Sequence, residues 1–263
     1  MIIGELLNSS RKAIRPLMDA YDTEALRKIA DAQKDAGADY LDLNCGAYVK
    51  EEVERLTWLV ENVGLPSGKP LCLDSPNPAA LKAVLPMISV PVVINSVSGE
   101  EQRYQDVLPL ALEYKTKLVA LCMAEGDIPQ DAKTRCEIGA RLIERLFADG
   151  MPSEDIYVDP LVQPASVSPD GARVILDTVS QLKAAYPEIH FVCGLSNISY
   201  GLPNRKLINR YFLAQIAAAG MDSFILDPTD KQLMGGYLVS QVLLGQDKFC
   251  AKYLKAHRKG LFE

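Results

Sequence analysis

Residues 23–44 read TEALRKIADAQKDAGADYLDLN and contain, in this order, the signals for a helix, a stop and a strand. Thr23 is predicted to cap the helix, and from Leu26 onward the apolar residues recur at helical spacing. Gly37 follows the last periodic residue, where a left-handed C-cap is expected. Residues 40–44 then form a short apolar run. The stretch therefore predicts one helix–strand unit.

The same alternation continues along all 263 residues. Short apolar runs predict the strands Ile2–Leu7, Tyr40–Asn44, Leu71–Asp74, Val92–Asn95, Leu118–Met123, Ile156–Asp159, Phe191–Leu195 and Phe224–Asp227. Helices are predicted over residues 23–36, 50–63, 77–87, 100–115, 131–148, 169–186, 204–219 and 230–244. Strands that are apolar on both faces and alternate with helices indicate a parallel sheet covered by helices. This pattern favours a (β/α)8 TIM barrel over an open doubly wound sheet, and we predict a single α/β domain spanning residues 1–263.

The chain ends in a basic tail that follows the last of these helices. We predict a short C-terminal extra helix here, with Phe249, Tyr253 and Leu254 packed on the barrel. Its solvated basic face would carry Lys248, Lys252, Lys255, Arg258 and Lys259. Two outer-face stretches, residues 213–219 and 238–244, are more apolar than packing on the strands requires, which predicts a subunit interface and hence a homodimer.

The composition disfavours several classes of protein. A hydrophobic share of 48% supports a large core, and a net charge of −6 argues against a nucleic-acid surface. The apolar runs are far shorter than a membrane span, and the opening residues MIIGE lack the basic region of a signal peptide, so we expect a cytoplasmic protein. The 6 cysteines form no C-x-x-C pair and there are only 2 histidines, so we predict reduced thiols and no metal site. No glycine-rich dinucleotide or ATP motif follows a predicted strand.

Most of the predicted strands end in an acid or an amide. These side chains are Asn8, Asp42, Asn44, Asp74, Asn95, Asp159, Asn197 and Asp227. In a (β/α)8 barrel the active site is built at the carboxyl ends of the strands. Asp and Asn also favour turns and helix N-caps, which accounts for Asp227 before Pro228 and is open for Asn77 and Ser98.

Some of these polar residues lie within the apolar runs and are expected to point into the barrel mouth: Asp42, Asn44, Asp74, Asn95 and Asp159. Buried carboxylates and amides need hydrogen-bonding partners. A ring of acceptors and amides without clustered Lys, His or Cys suits a flat heterocycle rich in N–H donors. It does not suit a phosphate, a two-metal site or a metal-dependent aldolase barrel.

The strand-end residues stand in segments that resemble a known family. The segments are residues 3–8 (IGELLN), 38–44 (ADYLDLN), 71–75 (LCLDS), 94–96 (INS), 158–161 (VDPL), 194–199 (GLSNIS) and 204–205 (NR). In order and strand position they resemble the pterin-binding (β/α)8 methyltransferases, and most closely the methyltetrahydrofolate:corrinoid protein methyltransferases. Relatives of that group include the folate domain of cobalamin-dependent methionine synthase. The chain departs from the family's pattern at Leu6, where Arg is common, and at Tyr200, where a polar amide is common.

The resemblance implies a role for each matching residue. Asp74, Asn95 and Asp159 would hydrogen-bond the N–H-bearing edge of a pterin, Asn197 would reach N5, and Arg205 would line the pocket for the p-aminobenzoate group. The floor and mouth would be completed by Asp42, Asn44, Gly194 and Ser196, with Tyr200 on the substrate-binding loop. Asn197, Asp74 and Asp159 are the predicted catalytic residues, because the amide can hydrogen-bond N5 without titrating while two ionised carboxylates hold the ring.

The implied reaction is methyl transfer between N5 of tetrahydrofolate and the cobalt of a corrinoid (cobalamin). The chain has no D-x-H-x-x-G corrinoid motif, so a separate corrinoid protein would dock over the barrel mouth. We favour transfer from methyl-corrinoid to tetrahydrofolate, as in demethylase systems, while loading of Co(I) corrinoid from 5-methyltetrahydrofolate stays open. Two less favoured functions are a dihydropteroate synthase, whose glycine-rich D-P-G stretch is absent after Asp159, and a non-catalytic folate-binding subunit.

Overall fold

The computed structural model describes residues 1–126 and 128–262. Parallel strands close into a barrel in chain order, with β1 paired to both β2 and β8. The strands are β1 (Ile2–Asn8), β2 (Tyr40–Asn44), β3 (Leu71–Asp74), β4 (Val92–Val97), β5 (Lys117–Leu121), β6 (Ile156–Asp159), β7 (His190–Gly194) and β8 (Ser223–Leu226). The predicted TIM barrel is therefore confirmed.

Helices cover the outside of the barrel. In chain order they are α1 (Arg15–Asp19), α2 (Thr23–Asp35), α3 (Glu52–Leu59), α4 (Pro78–Val84), α5 (Glu101–Glu113), α6 (Ala132–Ala148), α7 (Gly171–Ala185), α8 (Arg205–Ala218), α9 (Lys231–Leu243) and α10 (Ala251–Arg258). Helices α2 to α9 confirm the predicted ones, each slightly shorter than predicted. Helix α10 confirms the C-terminal extra helix, whereas the short α1 was not predicted.

The ends of α2 show how local chemistry sets a helix boundary. The prediction that Thr23 caps this helix is wrong, because Asp22 stands one residue earlier and its Oδ1 accepts a 3.0 Å hydrogen bond from the amide of Ala25. A carboxylate at the N-cap also interacts favourably with the helix dipole. Gly37 has φ +102°, so the predicted left-handed stop is confirmed.

Each strand contributes one side chain to an apolar layer inside the barrel. The layer consists of Ile3, Tyr40, Cys72, Val93, Val119, Tyr157, Val192 and Ile225, and all of these residues are buried. A larger apolar cluster fills the space between the outer faces of the strands and the helices. The inner layer closes the barrel across its middle and so forms the support on which the mouth is built.

The C-terminal tail differs from its prediction in one respect. Tyr253 packs on the ring of Phe262, with 4.8 Å between centroids, but Phe249 is 85% exposed and Leu254 is 44% exposed. Phe249 and Cys250 both have positive φ, so the chain turns in a left-handed conformation just before α10 and carries the Phe249 ring away from the barrel. The prediction that Phe249 and Leu254 pack down is therefore wrong.

The apolar outer-face stretches divide into a buried part and an exposed part. Leu213, Ile216 and Ala217 of α8 are buried against the barrel, so they are unavailable as a surface. On α9 and just after it, Leu243 is 80% exposed and Val239 and Leu244 are also exposed. Within the described ranges, no helix combines the length and apolar character needed to cross a membrane.

Candidate active site

The strand residues two positions beyond the inner apolar layer form the floor of the barrel mouth. Successive side chains on a strand alternate between its faces, so residue i+2 points the same way as residue i. These positions hold Glu5, Asp42, Asp74, Asn95, Leu121, Asp159, Gly194 and Asp227. A layer rich in carboxyl groups therefore lies directly on the apolar layer.

A cavity of about 870 Å³ opens above this polar layer. Among its lining residues are nine of the predicted ones: Asp42, Asp74, Asn95, Asp159, Gly194, Ser196, Asn197, Tyr200 and Arg205. Asn44 does not line the cavity. Residues that the sequence reasoning did not single out for the site also line it, including Glu5, Arg11, Lys12, Lys206, Asn209 and Asp230.

Asp74 is held from the side by Asn44. The two residues are in register on β2 and β3, and Nδ2 of Asn44 donates a 2.6 Å hydrogen bond to Oδ2 of Asp74. Burial raises the pKa of Asp74 to about 6, against the opposing effects of the Asn44 hydrogen bond and the Arg103 charge. Asn44 thus acts on the site through Asp74.

Asp42 is the deepest of the site carboxyl groups. Its side chain is 1% exposed, and its Oδ1 has no hydrogen-bond partner among the described residues. Burial, together with the nearby carboxyl of Asp74, raises the pKa of Asp42 well above its ordinary value. A buried polar atom without a partner needs one from elsewhere, so Asp42 marks the floor as a place for a polar ligand.

Asp159 occupies the far side of the mouth, at the end of β6. Its Oδ1 accepts a 2.7 Å hydrogen bond from the amide of Leu161, and burial raises the pKa of its carboxyl to about 7. The sequence-based expectation was that Asp74 and Asp159 are ionised. The raised pKa values of both carboxyls place their titration close to neutral pH instead, because burial penalises the charged form.

Glu5 was missed by the sequence reasoning, which took Asn8 as the end of the first strand, although Glu5 stands two positions beyond Ile3. The pairing of β1 with β2 shifts between Gly4 and Leu7. Oε1 of the buried Gln33 accepts a 2.9 Å hydrogen bond from the amide of Leu6 at this point. Glu5 lines the mouth, where Ser196 Oγ donates to its Oε1 at 3.0 Å. Burial raises the pKa of Glu5. The one sequence signal was an acid inside an otherwise apolar strand.

Asn197 lies at the rim, in a 3₁₀ turn (Leu195–Ser199) that follows β7. Its side chain is exposed, and its amide has no hydrogen-bond partner within the described ranges. A Cβ atom added at Gly194 would lie 3.1 Å from Nδ2 of Asn197. The glycine therefore leaves the space that the amide occupies.

The comparisons with known proteins place the barrel in a family. A model for pterin-binding enzymes matches residues 4–227. Over 262 residues the chain is 36% identical to the methylcorrinoid:tetrahydrofolate methyltransferase of Eubacterium limosum, with 99% of this chain and 97% of that protein aligned. The chain belongs to the pterin-binding enzyme family. The predicted resemblance to the corrinoid-linked methyltransferases is confirmed by this alignment.

More distant relatives agree with the family. This pterin-binding enzyme is 31% identical over 240 residues to methionine synthase of Mycobacterium tuberculosis, and the alignment covers 86% of this chain and 20% of that longer protein. Its barrel superposes on a dihydropteroate synthase from Xanthomonas albilineans, solved in complex with 7,8-dihydropteroate, with a TM-score of 0.70. That alignment covers 92% of this chain and 93% of the other at 17% identity, so it concerns the fold alone.

Two loops of this pterin-binding enzyme are joined beside Asn197. Ser166 Oγ donates to the carbonyl of Tyr200 at 2.9 Å, and the amide of Ala165 donates to the carbonyl of Ile198 at 2.9 Å. Arg205 braces the same turn, because its Nη2 donates to the carbonyl of Ser196 at 2.7 Å. Hydrogen bonds therefore hold the rim that carries Asn197 to the neighbouring loop.

The mouth offers many acceptors, and neither histidine lines it. His190 lies at the start of β7, with Nδ1 2.9 Å from Oδ2 of Asp222, and His257 lies on α10, so both are away from the mouth. No group of three or more His, Cys, Asp or Glu that could hold a metal is found in the part of the chain that the structure describes. The mouth can bind a ligand edge rich in N–H groups, and Asn197 can offer a donor or an acceptor above it.

Proposed function

We propose that this pterin-binding enzyme transfers a methyl group between N5 of tetrahydrofolate and the cobalt of a corrinoid carried by a separate protein. The observation that carries the proposal is the layer of carboxyl groups at the strand ends, lying beneath the unpartnered amide of Asn197 at the cavity rim. The Eubacterium limosum relative carries both reactants in its name.

The floor supplies acceptors for the pterin edge. Oδ1 of Asp74 remains available after Oδ2 has accepted from Asn44, and Oδ2 of Asp159 remains available after Oδ1 has accepted from Leu161. Asp42 adds an unpartnered Oδ1. The ring amide and exocyclic amine of a pterin are N–H donors that match such oxygens, and Asn95 can both donate and accept. Hydrogen bonds of this kind to charged groups contribute about 1.5–3 kcal/mol each.

Ring binding and carboxyl ionisation are coupled. An N–H donor stabilises the charged form of a carboxyl group, so the bound ring lowers the pKa of Asp74 and of Asp159 from their values of about 6 and about 7. Protons are released on binding wherever these groups are still protonated. The affinity for tetrahydrofolate therefore rises as the pH increases through this range and levels off above it.

Asn197 acts on the reacting nitrogen. The corrinoid cobalt gives or takes the methyl group, leaving with or supplying the electron pair of the cobalt–carbon bond. In the direction that we favour, from methyl-corrinoid to tetrahydrofolate, N5 attacks the methyl carbon and then loses its proton to water. Oδ1 of Asn197 accepts from the N5–H group as positive charge develops there. In the reverse direction the same amide, rotated, donates to N5 as it leaves.

The partner is a corrinoid protein that docks over the mouth. Val167 and Tyr200 are 73% and 66% exposed, and they lie on the two hydrogen-bonded loops beside Asn197. Apolar side chains at this rim suit a protein that must exclude water from the transfer. We further propose that the enzyme acts in the cytoplasm as a homodimer. Its interface includes exposed apolar residues on α8, on α9 and just after α9: Leu207, Tyr211, Val239, Leu243 and Leu244.

The test is a methyl-transfer assay in both directions. Purified enzyme is mixed either with tetrahydrofolate and methylcobalamin or with 5-methyltetrahydrofolate and Co(I) cobalamin. The visible spectrum reports the corrinoid, and mass spectrometry reports the folate. We expect transfer in at least one direction, unaffected by EDTA. Tetrahydrofolate binding without transfer to free or protein-bound corrinoid would indicate the non-catalytic folate-binding subunit, and the absence of folate binding would overturn the proposal.

A further inference from the structure

A single arginine on α5 joins two strand ends of the site. The guanidinium of Arg103 donates three hydrogen bonds to main-chain carbonyl oxygens: Nε to Ser96 at 2.8 Å, Nη1 to Pro76 at 2.7 Å and Nη2 to Ser75 at 2.8 Å. All three carbonyl groups belong to residues just beyond β3 or at the end of β4. The planar fork of an arginine can hold three such acceptors at once, which an ammonium group cannot reproduce.

These carbonyl groups lie next to the site residues in the chain. Ser75 follows Asp74, and Ser96 follows Asn95. Asp74 and Asn95 are themselves in register on neighbouring strands, and the amide of Ser75 donates to the carbonyl of Asn95 at 3.1 Å. Any shift of either strand end would therefore move a site side chain and lengthen a hydrogen bond from Arg103.

There is space behind these side chains that makes such a shift feasible. A second cavity of about 280 Å³ lies beside the mouth, and Asp74, Asn95 and Arg103 all line it. Asp74 and Asn95 thus form a wall between two cavities and are not supported there by close packing. Hydrogen bonding takes over the role that packing has elsewhere in the core.

We propose that Arg103 is a positioning residue, which holds Asp74 and Asn95 in the orientation that binds the pterin edge. The inference rests on the proposed function, since it assigns these two residues to substrate binding. Arg103 touches neither substrate nor cofactor in this role and acts through the two loop backbones. Its charge also opposes the effect of burial on the pKa of Asp74.

On the opposite wall of the mouth, a second arginine also donates to main-chain carbonyl groups. Arg135 on α6 is 1% exposed, and its Nη1 donates to the carbonyl oxygens of Pro160 and Leu161, the two residues that follow Asp159. Asp74 and Asp159, two of the carboxyl groups assigned to the ring, are thus each followed by a loop that a helix-borne guanidinium holds. The repetition supports a role in placing the carboxyl groups.

The test separates the geometry of Arg103 from its charge. Arg103→Lys keeps the charge and loses the fork, whereas Arg103→Gln loses both. The matched control is Arg27→Lys, because Arg27 on α2 also donates to a main-chain carbonyl, that of Asn62 at 2.6 Å, but outside the mouth. Tetrahydrofolate binding is measured by calorimetry from pH 5.5 to 8.5, alongside the melting temperature of each variant.

We expect Arg103→Lys to melt like Arg27→Lys and to bind tetrahydrofolate at least about tenfold more weakly at every pH, because the fork is lost. Arg103→Gln should bind as weakly and, in addition, the half-point of its pH profile should move upward. The other charged groups around Asp74, namely Asp42, Glu52 and Asp159, are unchanged in both variants.

Two failures are distinguishable. If the wild type binds tetrahydrofolate and Arg103→Lys binds it as tightly, the positioning role is overturned and the proposed function stands. If the wild type does not bind tetrahydrofolate, the proposed function is overturned. In that case the effect of Arg103 on Asp74 is still tested by the ¹³C titration of the Asp74 carboxyl in the ligand-free protein. A titration curve that is unchanged in both Arg103 variants contradicts any action of Arg103 on Asp74.

Discussion

The side-chain amide of Asn44 lies 2.6 Å from Oδ2 of Asp74, across the register of two neighbouring strands. This hydrogen bond occupies one oxygen of the carboxylate and stabilises its charged form. It leaves Oδ1 without this partner, so Asn44, a residue outside the cavity lining, influences what Asp74 offers to the cavity.

Asn44→Ala should therefore weaken tetrahydrofolate binding in a manner that depends on pH. Loss of the donor raises the pKa of Asp74 above its value of about 6, so the Asp74 carboxyl is protonated in a larger fraction of the molecules at pH 7. We expect a loss of about tenfold at pH 7 and a smaller loss at pH 8.5, measured by calorimetry. Asn62→Ala, which removes a hydrogen bond to the carbonyl of Trp58, is the control. An equal loss at both pH values would contradict the ionisation argument.

Asp159→Asn should stabilise the ligand-free barrel at pH 8 while abolishing tight folate binding. The folded-state pKa of about 7 lies above the ordinary value of 3.8, so the folded protein holds its proton longer and stability falls as pH rises between these values. Asparagine cannot ionise, so the cost of a buried negative charge is removed, and its side-chain oxygen can still accept the hydrogen bond from the amide of Leu161. We expect a gain of about 2–3 kcal/mol in the free energy of unfolding at pH 8, part of the full value because the group faces the open mouth. Denaturant melts should show a smaller gain at pH 5, and an equal gain at both pH values would refute the account.

Asn197→Ala should separate binding from transfer. Affinity for tetrahydrofolate should change by at most about 1.5 kcal/mol, since one neutral hydrogen bond is lost. Methyl transfer should fall by about a hundredfold or more, because the bond matters chiefly as charge develops at N5. Asn197→Asp should be as slow. Equal losses in binding and transfer would mean that Asn197 only holds substrate, and no change in either would place N5 elsewhere.

Tyr200→Ser should raise the KM for the corrinoid protein by about fivefold or more, because it removes an exposed aromatic ring from the rim. Phe249→Ser removes a ring that is even more exposed but does not line the mouth, and it serves as the control. Steady-state kinetics with the protein-bound corrinoid provide the measurement. Matching KM values for the two variants would argue against docking at this rim.

Leu243→Lys should convert a dimer into a monomer. Leu243 is 80% exposed on α9, and a lysine in an apolar interface would strand a charge without a partner. Light scattering at micromolar concentration should give twice the mass of 28.8 kDa for the wild type and the single-chain mass for the variant. A wild-type mass of one chain would refute the homodimer.

The barrel was predictable from the sequence because its signal is repeated. Each strand is a short apolar run and each helix has its own periodicity, so an error at one boundary leaves the topology unchanged. The cap of α2 shows the limit: Asp22 and Thr23 are both good N-caps, and local geometry selected Asp22. Phe249 was misplaced because positive φ at a non-glycine residue left no mark in the sequence pattern.

The floor of the candidate site was predictable from the alternation of side chains along the strands. Asp42, Asp74, Asn95 and Asp159 follow from alternation alone, being two residues beyond an inward apolar side chain. Glu5 follows from the same alternation, two residues beyond Ile3, but was missed because Asn8 was taken as the end of the first strand. The hydrogen bonds of Arg103 could not be predicted from the sequence, because they join the ends of β3 and β4, which become neighbours only when the barrel forms.

At Gly194, thermal stability and catalytic activity favour different residues. Its φ of −71° and ψ of 92° are open to any residue, so alanine would fit the backbone and would stabilise the barrel by about 0.4–1 kcal/mol by restricting the unfolded chain. The added methyl group would also crowd the amide of Asn197. A heat-resistant version of this enzyme and a fast one therefore call for different residues at the end of β7.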